Sequence, residues 1–329
     1  MKKVKWFGFA AALLSLSVTC LAATGTEDLV NRHHAAWQPA ASVEQIPIWP
    51  KGLSIARPAI PGDEAFGTSK GGLIGGRPVT LVEHVSRPTM SIYRPSGKNT
   101  GAAVLVFPGG GYRALAIDLE GTEICDWLVV KGITCVVLKY RVPASGPYWS
   151  EECNCRQIPA VPLALQDAQR AMGLLRERAA TLGIDPHKIG VLGFSAGGRM
   201  VADVSNTTAR SYPLVDAADR QSSRPDFAMV LYPGHLWKNP GLTLDPSIQI
   251  DPGCPPTLIV QAGNDPKDDV RHSLTYYLAL QQANIPVEMH LYAEGGHAFG
   301  VRRSSAAITS WPVLAEKWMI SIGVVRTTH

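Results

Sequence analysis

The sequence predicts an α/β protein built on a mostly parallel sheet of eight strands, with helices covering both faces. Three observations support this prediction. From Pro78 onward, short apolar runs alternate with longer amphipathic runs, which is typical of strands alternating with helices. One apolar run passes directly into a Gly-x-Ser-x-Gly pattern followed by a helix. With 329 residues, of which 46% are hydrophobic and 18% charged, the chain also has enough apolar material for one large core.

The first residues have the pattern of an export signal. Three lysines within the first five positions precede a largely apolar run over residues 6–21, and the small residues Ala22 and Ala23 follow. Lysines before an uncharged, mostly apolar stretch favour a signal peptide over a buried helix. We therefore expect residues 1–22 to be a signal peptide and the mature protein to be periplasmic or secreted.

Cys20 leaves a second interpretation of this segment open, because a lipoprotein signal also places its cysteine at the end of the apolar run. Thr19 argues against lipidation, since the residue before a lipidated cysteine is usually Gly, Ala or Ser. No other stretch reaches the roughly 18 consecutive apolar residues of a membrane helix, so no membrane span is expected. The net charge of +4 and the scattered basic residues predict no nucleic-acid partner.

Residues 23–77 are rich in Pro and Gly and show little periodicity, which indicates an extended N-terminal arm on the domain formed by residues 78–329. Trp37 and Trp49 are the expected packing anchors of this arm. The helices are predicted over residues 163–182, 196–205, 270–283 and 311–322. The strands are predicted over residues 79–85, 91–94, 102–107, 134–140, 189–194, 227–232, 257–262 and 287–292.

Two long segments, residues 142–162 and 234–256, interrupt this alternation. Each follows a predicted strand of a parallel sheet, so both are expected to emerge at the edge where ligands bind. Long loops without periodicity are more often functional than idle. Their aromatic residues Tyr148, Trp149 and Trp237 are therefore candidate substrate contacts, with ordinary packing onto the domain as the alternative.

Five cysteines remain after the expected cleavage, so at least one is unpaired. Cys125 and Cys135 fall in segments predicted to be buried, where a free cysteine behaves as a small apolar residue. Cys153, Cys155 and Cys254 lie in loops, and an oxidising compartment would permit a disulfide from Cys153 or Cys155 to Cys254. Zinc at the Cys153-Asn-Cys155 pair lacks a second ligand pair at metal spacing, and we predict no metal and no cofactor.

The strand over residues 189–194 leads into Ser195-Ala-Gly-Gly and then a helix. A serine on such a sharp turn is held with its Oγ above the sheet, and close backbone approach requires small flanking residues. The helix N-terminus also favours negative charge developing beside Ser195. The sequence therefore predicts that Ser195 is a nucleophile.

A serine hydroxyl is a weak nucleophile until an imidazole takes its proton, so a histidine must follow. His297 lies in a glycine-flanked loop, Glu294-Gly-Gly-His-Ala-Phe-Gly300, just after the last predicted strand. His235, His272 and His290 lack this position. His297 is therefore the expected general base.

The acid of such a triad is expected in the loop after the strand over residues 257–262, because the chain order of this arrangement is Ser, then Asp or Glu, then His. Asp265 is the first carboxylate there and precedes His297 by one helix and one strand. It would accept a hydrogen bond from the imidazole and fix its tautomer. Asp268 and Asp269 are expected to cap the helix that begins near Val270.

An oxyanion hole completes the predicted site. After the strand over residues 102–107 comes Pro-Gly-Gly-Gly-Tyr112, whose glycine N–H groups can turn toward a carbonyl oxygen. We predict the N–H groups of Gly109, Gly110 and Ala196 as the donors, and Tyr112 as a further pocket residue. The loss of one such donor typically costs about 3 kcal/mol of transition-state stabilisation.

At these residues the chain resembles a family of bacterial α/β hydrolases grouped with acetyl-xylan and feruloyl esterases, which are similar to prolyl oligopeptidases in the catalytic domain. The resemblance covers residues 78–323 and depends on the glycine loop before Tyr112, on Leu-Gln-Asp-Ala-Gln-Arg170, on Gly-Phe-Ser-Ala-Gly197, on Ser-Leu-Thr-Tyr-Tyr277 and on His-Leu-Tyr-Ala-Glu-Gly-Gly-His297. It implies the α/β-hydrolase fold and a serine carboxylesterase activity.

The resemblance implies a small-molecule or polysaccharide ester as substrate, with acetyl groups of plant polysaccharide as one expectation. Pro108 stands where many relatives have His, and the loop with Cys153 and Cys155 is an elaboration, so the natural substrate stays open. A serine peptidase of the oligopeptidase type is the alternative function, although no propeller precedes the catalytic region. A binding protein without activity is disfavoured because all triad positions are filled.

Overall fold

The computed structural model describes residues 29–58, 62–143, 148–150, 155–157, 162–238 and 240–325, with the backbone alone for residues 148–150, 155–157 and 162. The predicted signal peptide and Cys20 lie outside these ranges. The helices are α1 (Glu123–Val129), α2 (Pro162–Glu177), α3 (Ala179–Leu182), α4 (Ala196–Asn206), α5 (Arg271–Gln282) and α6 (Trp311–Ser321). The strands are β1 (Leu29–His33), β2 (Glu44–Pro47), β3 (Ala65–Ser69), β4 (Thr80–Glu83), β5 (Thr89–Tyr93), β6 (Ala103–Phe107), β7 (Ala114–Ala116), β8 (Thr134–Lys139), β9 (Tyr148–Ser150), β10 (Cys155–Gln157), β11 (Ile189–Phe194), β12 (Ala228–Leu231), β13 (Trp237–Lys238), β14 (Thr243–Leu244), β15 (Thr257–Ala262) and β16 (Val287–Tyr292).

The predicted mostly parallel sheet of eight strands is confirmed. Its order is β16-β15-β12-β11-β6-β8-β5-β2, and only β5 and β2 run antiparallel to their neighbours. Every residue of β6, β8, β11, β12 and β15 is buried. Because helices cover both faces of such a sheet, its strands are continuous apolar runs without alternation.

The prediction is wrong for one strand of this sheet. The run over residues 79–85 forms β4, which pairs antiparallel with β3 and β7 in a separate four-stranded sheet. The eighth strand of the main sheet is β2, which comes from the N-terminal arm and pairs with β5. Trp37 and Trp49, the expected anchors of the arm, are buried in the core.

A disulfide joins Cys125 of α1 to Cys135 of β8, so the expectation that both are free apolar thiols is wrong. The packing of α1 against β8 brings the two Cα atoms to 5.1 Å, which is ordinary disulfide spacing. Cys254 is a free, buried thiol, so the expected bond from Cys153 or Cys155 to it is not formed. The side chains of those two cysteines lie outside the described part of the chain.

A buried ion pair fastens the arm to the core. The carboxylate of Asp167 on α2 accepts hydrogen bonds from the Arg141 guanidinium, at distances down to 2.7 Å, and from the Trp49 indole N–H at 2.8 Å. The side chains of Arg141 and Asp167 are 1% and 0% exposed. This carboxylate therefore holds a charge that water does not reach.

We expect Asp167→Ala to lower the free energy of unfolding by about 3–5 kcal/mol, because it leaves the buried Arg141 charge without a counterion. Urea denaturation followed by circular dichroism measures the change. Glu44→Gln at the solvent-accessible ion pairs with Arg94 and Arg178 is the control and should cost about 1 kcal/mol or less. Equal losses for the two variants would contradict the assigned role of Asp167.

Candidate active site

Ser195 lies on the sharp turn between β11 and α4. Its φ of 52° and ψ of −116° are strained for a residue with a side chain. A Cβ added at Gly193 would lie 2.1 Å from the carbonyl oxygen of Gly197, and one added at Gly197 would lie 2.1 Å from that of Phe107. Glycine is therefore required on both sides of the serine, as the Gly-x-Ser-x-Gly pattern predicts.

His297 and Asp265 lie together at the carboxyl edge of the sheet. The Nδ1 atom of His297 is 2.7 Å from Oδ2 of Asp265, whose side chain is fully buried. The other oxygen of Asp265 accepts the backbone N–H groups of Lys267 and Asp268 at 2.8 and 3.0 Å. These bonds fix the carboxylate beneath the imidazole, where it can hold one tautomer of the ring.

The electrostatics of this pair favour a charged imidazole. Burial alone would raise the pKa of Asp265, but the bonds from His297 and from the neighbouring N–H groups bring it below its usual value. Burial lowers the pKa of His297, but the bond to Asp265 and the charges of Asp268, Asp265 and Glu120 raise it above its ordinary value of 6.5. Asp265 is thus ionised and stabilises the imidazolium.

Asp268 is the functional residue that the sequence interpretation missed. The Ser195 hydroxyl donates a hydrogen bond to Oδ2 of Asp268 at 3.1 Å, and Nε2 of His297 lies 3.8 Å from the same oxygen. The expectation that Asp268 caps α5 is therefore wrong. The expectation for Asp269 is confirmed, because its carboxylate accepts the N–H of Arg271 at 2.9 Å at the start of α5.

The sequence pattern alone could not assign different roles to Asp268 and Asp269. The loop holds three carboxylates in five positions, and each of them suits a helix start. What distinguishes Asp268 is its position against Gly234, which follows β12. A Cβ at Gly234 would lie only 2.7 Å from Oδ1 of Asp268, so glycine there admits the carboxylate.

The glycine loop after β6 lies beside Ser195, but one predicted donor is already engaged. The N–H of Gly109 donates to Oε2 of Glu120 at 2.7 Å, and the Tyr232 hydroxyl donates to the other oxygen of Glu120 at 2.9 Å. The structure therefore does not offer the Gly109 N–H to a carbonyl oxygen, contrary to expectation. Gly110 and Gly111 line the cavity together with Ser195.

Glu120 anchors this loop from a buried position. It lies within the helical turn over residues 118–122, just before α1, and is 2% exposed. Burial raises the pKa of Glu120, although the Tyr232 hydroxyl and the Gly109 N–H stabilise the charged form. No motif in the sequence marked this residue, because its role depends on a contact between the loop and the turn after β7.

Ser195 opens into a cavity of about 830 Å³. One wall is apolar and comes from the end of the arm, from β4 and the residue before it, from β7, and from the turn before α1. It is formed by Ile74, Val79, Leu81, Ala116 and Leu119. A second group of lining residues forms a polar wall and includes Arg199, His235, Trp237, Asp245, Lys267 and His272.

The segment over residues 234–256 supplies part of this polar wall, as predicted. Trp237 lines the cavity, and the Arg271 guanidinium lies over its ring at 3.8 Å from the centroid. Tyr112 does not line the cavity. It is 2% exposed and packs edge-on against Tyr140, so its predicted pocket role is wrong. The side chains of Tyr148 and Trp149 lie outside the described part of the chain.

The two histidines of the polar wall are neutral. Burial lowers the pKa of His235 to about 3 and that of His272 to about 4. The Nδ1 atom of His272 accepts the backbone N–H groups of Leu236 and Trp237 at 3.0 and 2.9 Å, which holds the wall in place. Among the described residues, neither histidine forms a hydrogen bond with the Ser195 hydroxyl.

Within the ranges that the structure describes, no helix is long and apolar enough to cross a membrane. Among the same residues, no group of three or more His, Cys, Asp or Glu side chains is arranged to hold a metal ion.

Comparison with known proteins places this site in a wider group. A family profile described as "alpha/beta hydrolase fold" matches residues 104–301. An acetylxylan esterase of Xylanibacter ruminicola is 29% identical over 224 residues, which are 61% of this chain and 42% of that protein. An ethyl acetate hydrolase of Pseudomonas putida is 27% identical over 63% of this chain and 70% of its own length. The chain thus spans less than half the length of the first of these relatives.

The crystal structure of an acetyl ester-xyloside bifunctional hydrolase from Caldicellulosiruptor lactoaceticus superimposes on this chain with a TM-score of 0.62 at 27% identity. The match covers 86% of this chain and 97% of the other.

Proposed function

The chain belongs to the α/β-hydrolase fold family, and from this premise we propose that it hydrolyses carboxylic esters of small acyl groups through Ser195, His297 and Asp265. One observation carries the proposal. A strained serine and a histidine bonded to a buried carboxylate face the same cavity, and glycine N–H groups lie beside them. This arrangement supports serine acyl transfer through these three residues.

The proposed reaction proceeds through an acyl-enzyme. The Ser195 hydroxyl turns from Asp268 to Nε2 of His297, gives up its proton and attacks the ester carbonyl carbon. Backbone N–H groups of Gly110, Gly111 and Ala196 stabilise the oxyanion. The imidazolium then protonates the leaving alcohol, the ester C–O bond breaks, and water activated by His297 releases the carboxylic acid.

The comparisons support a short acyl group. Two relatives are named for acetylxylan and ethyl acetate, and a structural relative is named for an acetyl ester. The apolar wall suits an acyl chain, and the polar wall with Trp237 suits a sugar. We propose acetyl groups of a plant polysaccharide as the natural substrate. These named relatives favour an esterase over the serine peptidase alternative.

Parallel assays with p-nitrophenyl acetate and an aminoacyl-p-nitroanilide test the proposed function. We expect hydrolysis of the acetate and none of the anilide. Hydrolysis of the anilide with comparable kcat/KM would establish the peptidase instead. A screen of acetylated xylan against acetylated small sugars then identifies the preferred alcohol.

The proposed base also predicts a pH dependence. Only neutral His297 accepts the serine proton, and its pKa lies above 6.5, so kcat/KM should be maximal above that pKa. Below it, kcat/KM should fall about tenfold per pH unit. Asp268→Asn removes a charge that raises this pKa, and it should move the acid limb to lower pH. A pH-stat profile with ethyl acetate measures both, and an unmoved limb would contradict the assignment of His297.

We further propose that the protein acts outside the cytoplasm. The N-terminal pattern supports export, and the disulfide between Cys125 and Cys135 suits an oxidising compartment. Mass spectrometry of protein from the periplasm or the culture medium should show loss of residues 1–22. A retained N-terminus, or a lipid on Cys20, would overturn this assignment.

A further inference from the structure

The carboxylate of Asp268 lines the cavity beside both Ser195 and His297, yet the proposed triad does not use it. Its Oδ2 atom is 3.1 Å from the serine Oγ and 3.8 Å from Nε2 of the histidine. The side chain is 13% exposed and faces the cavity. A group at this position touches whatever the nucleophile and base act on.

The surrounding structure holds this carboxylate in place. The backbone N–H of Asp268 donates to Oδ1 of Asp265, the same carboxylate that orients His297. The absence of a side chain at Gly234 leaves the space that Oδ1 of Asp268 occupies. The position of Asp268 is therefore tied to the position of the base.

Asp268 has acceptor capacity that the protein leaves unused. An ionised carboxylate has about four acceptor sites, and the Ser195 hydroxyl fills one of them. No arginine or lysine of the described ranges forms an ion pair with it within 4.0 Å. Burial raises the pKa of Asp268 to about 6, so near pH 8 it is ionised and accepts hydrogen bonds only.

Catalysis itself removes the one donor that Asp268 has. When the Ser195 hydroxyl turns to His297, the carboxylate oxygen loses this hydrogen bond, and a substrate that fills the cavity displaces the water that could replace it. An unsatisfied buried acceptor is costly, more so when it is charged. A substrate that brings a hydroxyl to this oxygen is therefore favoured over one that does not.

The position of Asp268 identifies the half of the ester that it faces. The leaving oxygen must come within hydrogen-bond reach of Nε2 of His297, because that atom protonates it. Asp268 lies 3.8 Å from the same nitrogen, while the glycine loop flanks Ser195 from another chain segment. The carboxylate thus adjoins the alcohol half of the substrate.

We propose that Asp268 selects esters whose alcohol half carries a free hydroxyl beside the esterified oxygen, as in partly acetylated sugars and polyols, by accepting a hydrogen bond from that hydroxyl. This proposal rests on the proposed esterase function and names the substrate class of the same site. A charge-assisted hydrogen bond of this kind is about twice as strong as a neutral one.

A matched pair of acetates tests the proposal. 2-Hydroxyethyl acetate and 2-methoxyethyl acetate share the acyl group and the two-carbon chain, and differ by the methyl group that replaces the hydroxyl hydrogen and so removes the hydrogen-bond donor. We expect the wild-type enzyme to prefer the hydroxyl compound by at least about tenfold in kcat/KM, which corresponds to one charge-assisted bond.

Four variants separate the role of Asp268 from general damage to the site. Asp268→Ala should bring the ratio of the two kcat/KM values near one, and Asp268→Asn should keep part of it because an amide oxygen still accepts. Gly234→Ala keeps the carboxylate but crowds it, and should also lower the ratio. Asp269→Asn alters the neighbouring carboxylate, which pairs with Arg271, and should leave the ratio unchanged.

The outcomes test the proposed selection by Asp268 separately from the esterase function. Loss of the preference in Asp268→Ala, with retained turnover of 2-methoxyethyl acetate, supports the proposal. An unchanged ratio of the two kcat/KM values in Asp268→Ala overturns the proposal while the esterase function stands. An equal fall for both acetates is one form of this outcome. If the wild-type enzyme cleaves neither acetate, the proposed function and this selection fail together.

Discussion

Replacing Ser195 by alanine is expected to lower kcat for p-nitrophenyl acetate by about 10⁵- to 10⁶-fold, because the hydroxyl carries the covalent step. The substitution removes one oxygen and keeps a residue with a Cβ on the strained turn, so the fold should persist. The same chain offers a matched control in Ser205, a buried serine on α4 whose hydroxyl has no hydrogen-bond partner in the described structure. Ser205→Ala should retain wild-type activity.

Covalent labelling supplies an independent measurement. A fluorophosphonate should add one label to the wild-type protein, at Ser195, and none to the Ser195→Ala variant. Turnover by that variant within about tenfold of wild type, with contamination excluded by the labelling, would remove Ser195 from the mechanism.

The second large effect is expected at Asp265. Asp265→Asn should reduce kcat by about 10⁴-fold, because an amide in place of the carboxylate stabilises the wrong tautomer of the imidazole. Asp269→Asn is the control on the same loop, where its carboxylate pairs with the exposed Arg271. This variant should stay within a few-fold of wild type.

The Asp268→Asn variant tests whether Asp265 or Asp268 orients His297. Asp268→Asn is expected to change the preference between alcohols and the acid limb of the pH profile, while most of the turnover persists. A larger loss at Asp268 than at Asp265 would transfer the orienting role to Asp268 and leave the bond between Asp265 and His297 without a catalytic purpose.

The strands of the main sheet could be predicted from the sequence where their burial produces a simple pattern of apolar residues. Strands such as β6 and β11 are buried on both faces, so each appears as an unbroken apolar run between turn residues. Strand β2, Glu44–Pro47, has one aliphatic residue and a proline, so no periodicity reveals it. The run over residues 79–85 was recognised as a strand, but periodicity does not encode which sheet a strand joins.

The residues of the site likewise divide into those that a local motif reveals and those that depend on tertiary contacts. Ser195 and His297 occur in glycine-flanked motifs whose backbone requirements are visible in the sequence. The engagement of Gly109 by Glu120 and the contact of Asp268 with Ser195 are tertiary contacts over 11 and 73 residues of chain. Likewise, Cys125 and Cys135 pair because α1 lies on β8. No local pattern records such contacts.

The position of β2 bears on how this protein can be shortened. A fragment cut to residues 104–301 would keep Ser195, Asp265 and His297, but it would lose both antiparallel strands, β2 and β5, that lie beyond β8. The backbone N–H and C=O groups of β8 would then form an open edge, which is a template for pairing with another chain. Such a fragment should self-associate on expression even though its catalytic residues are complete, so a well-behaved recombinant protein must begin upstream of Glu44.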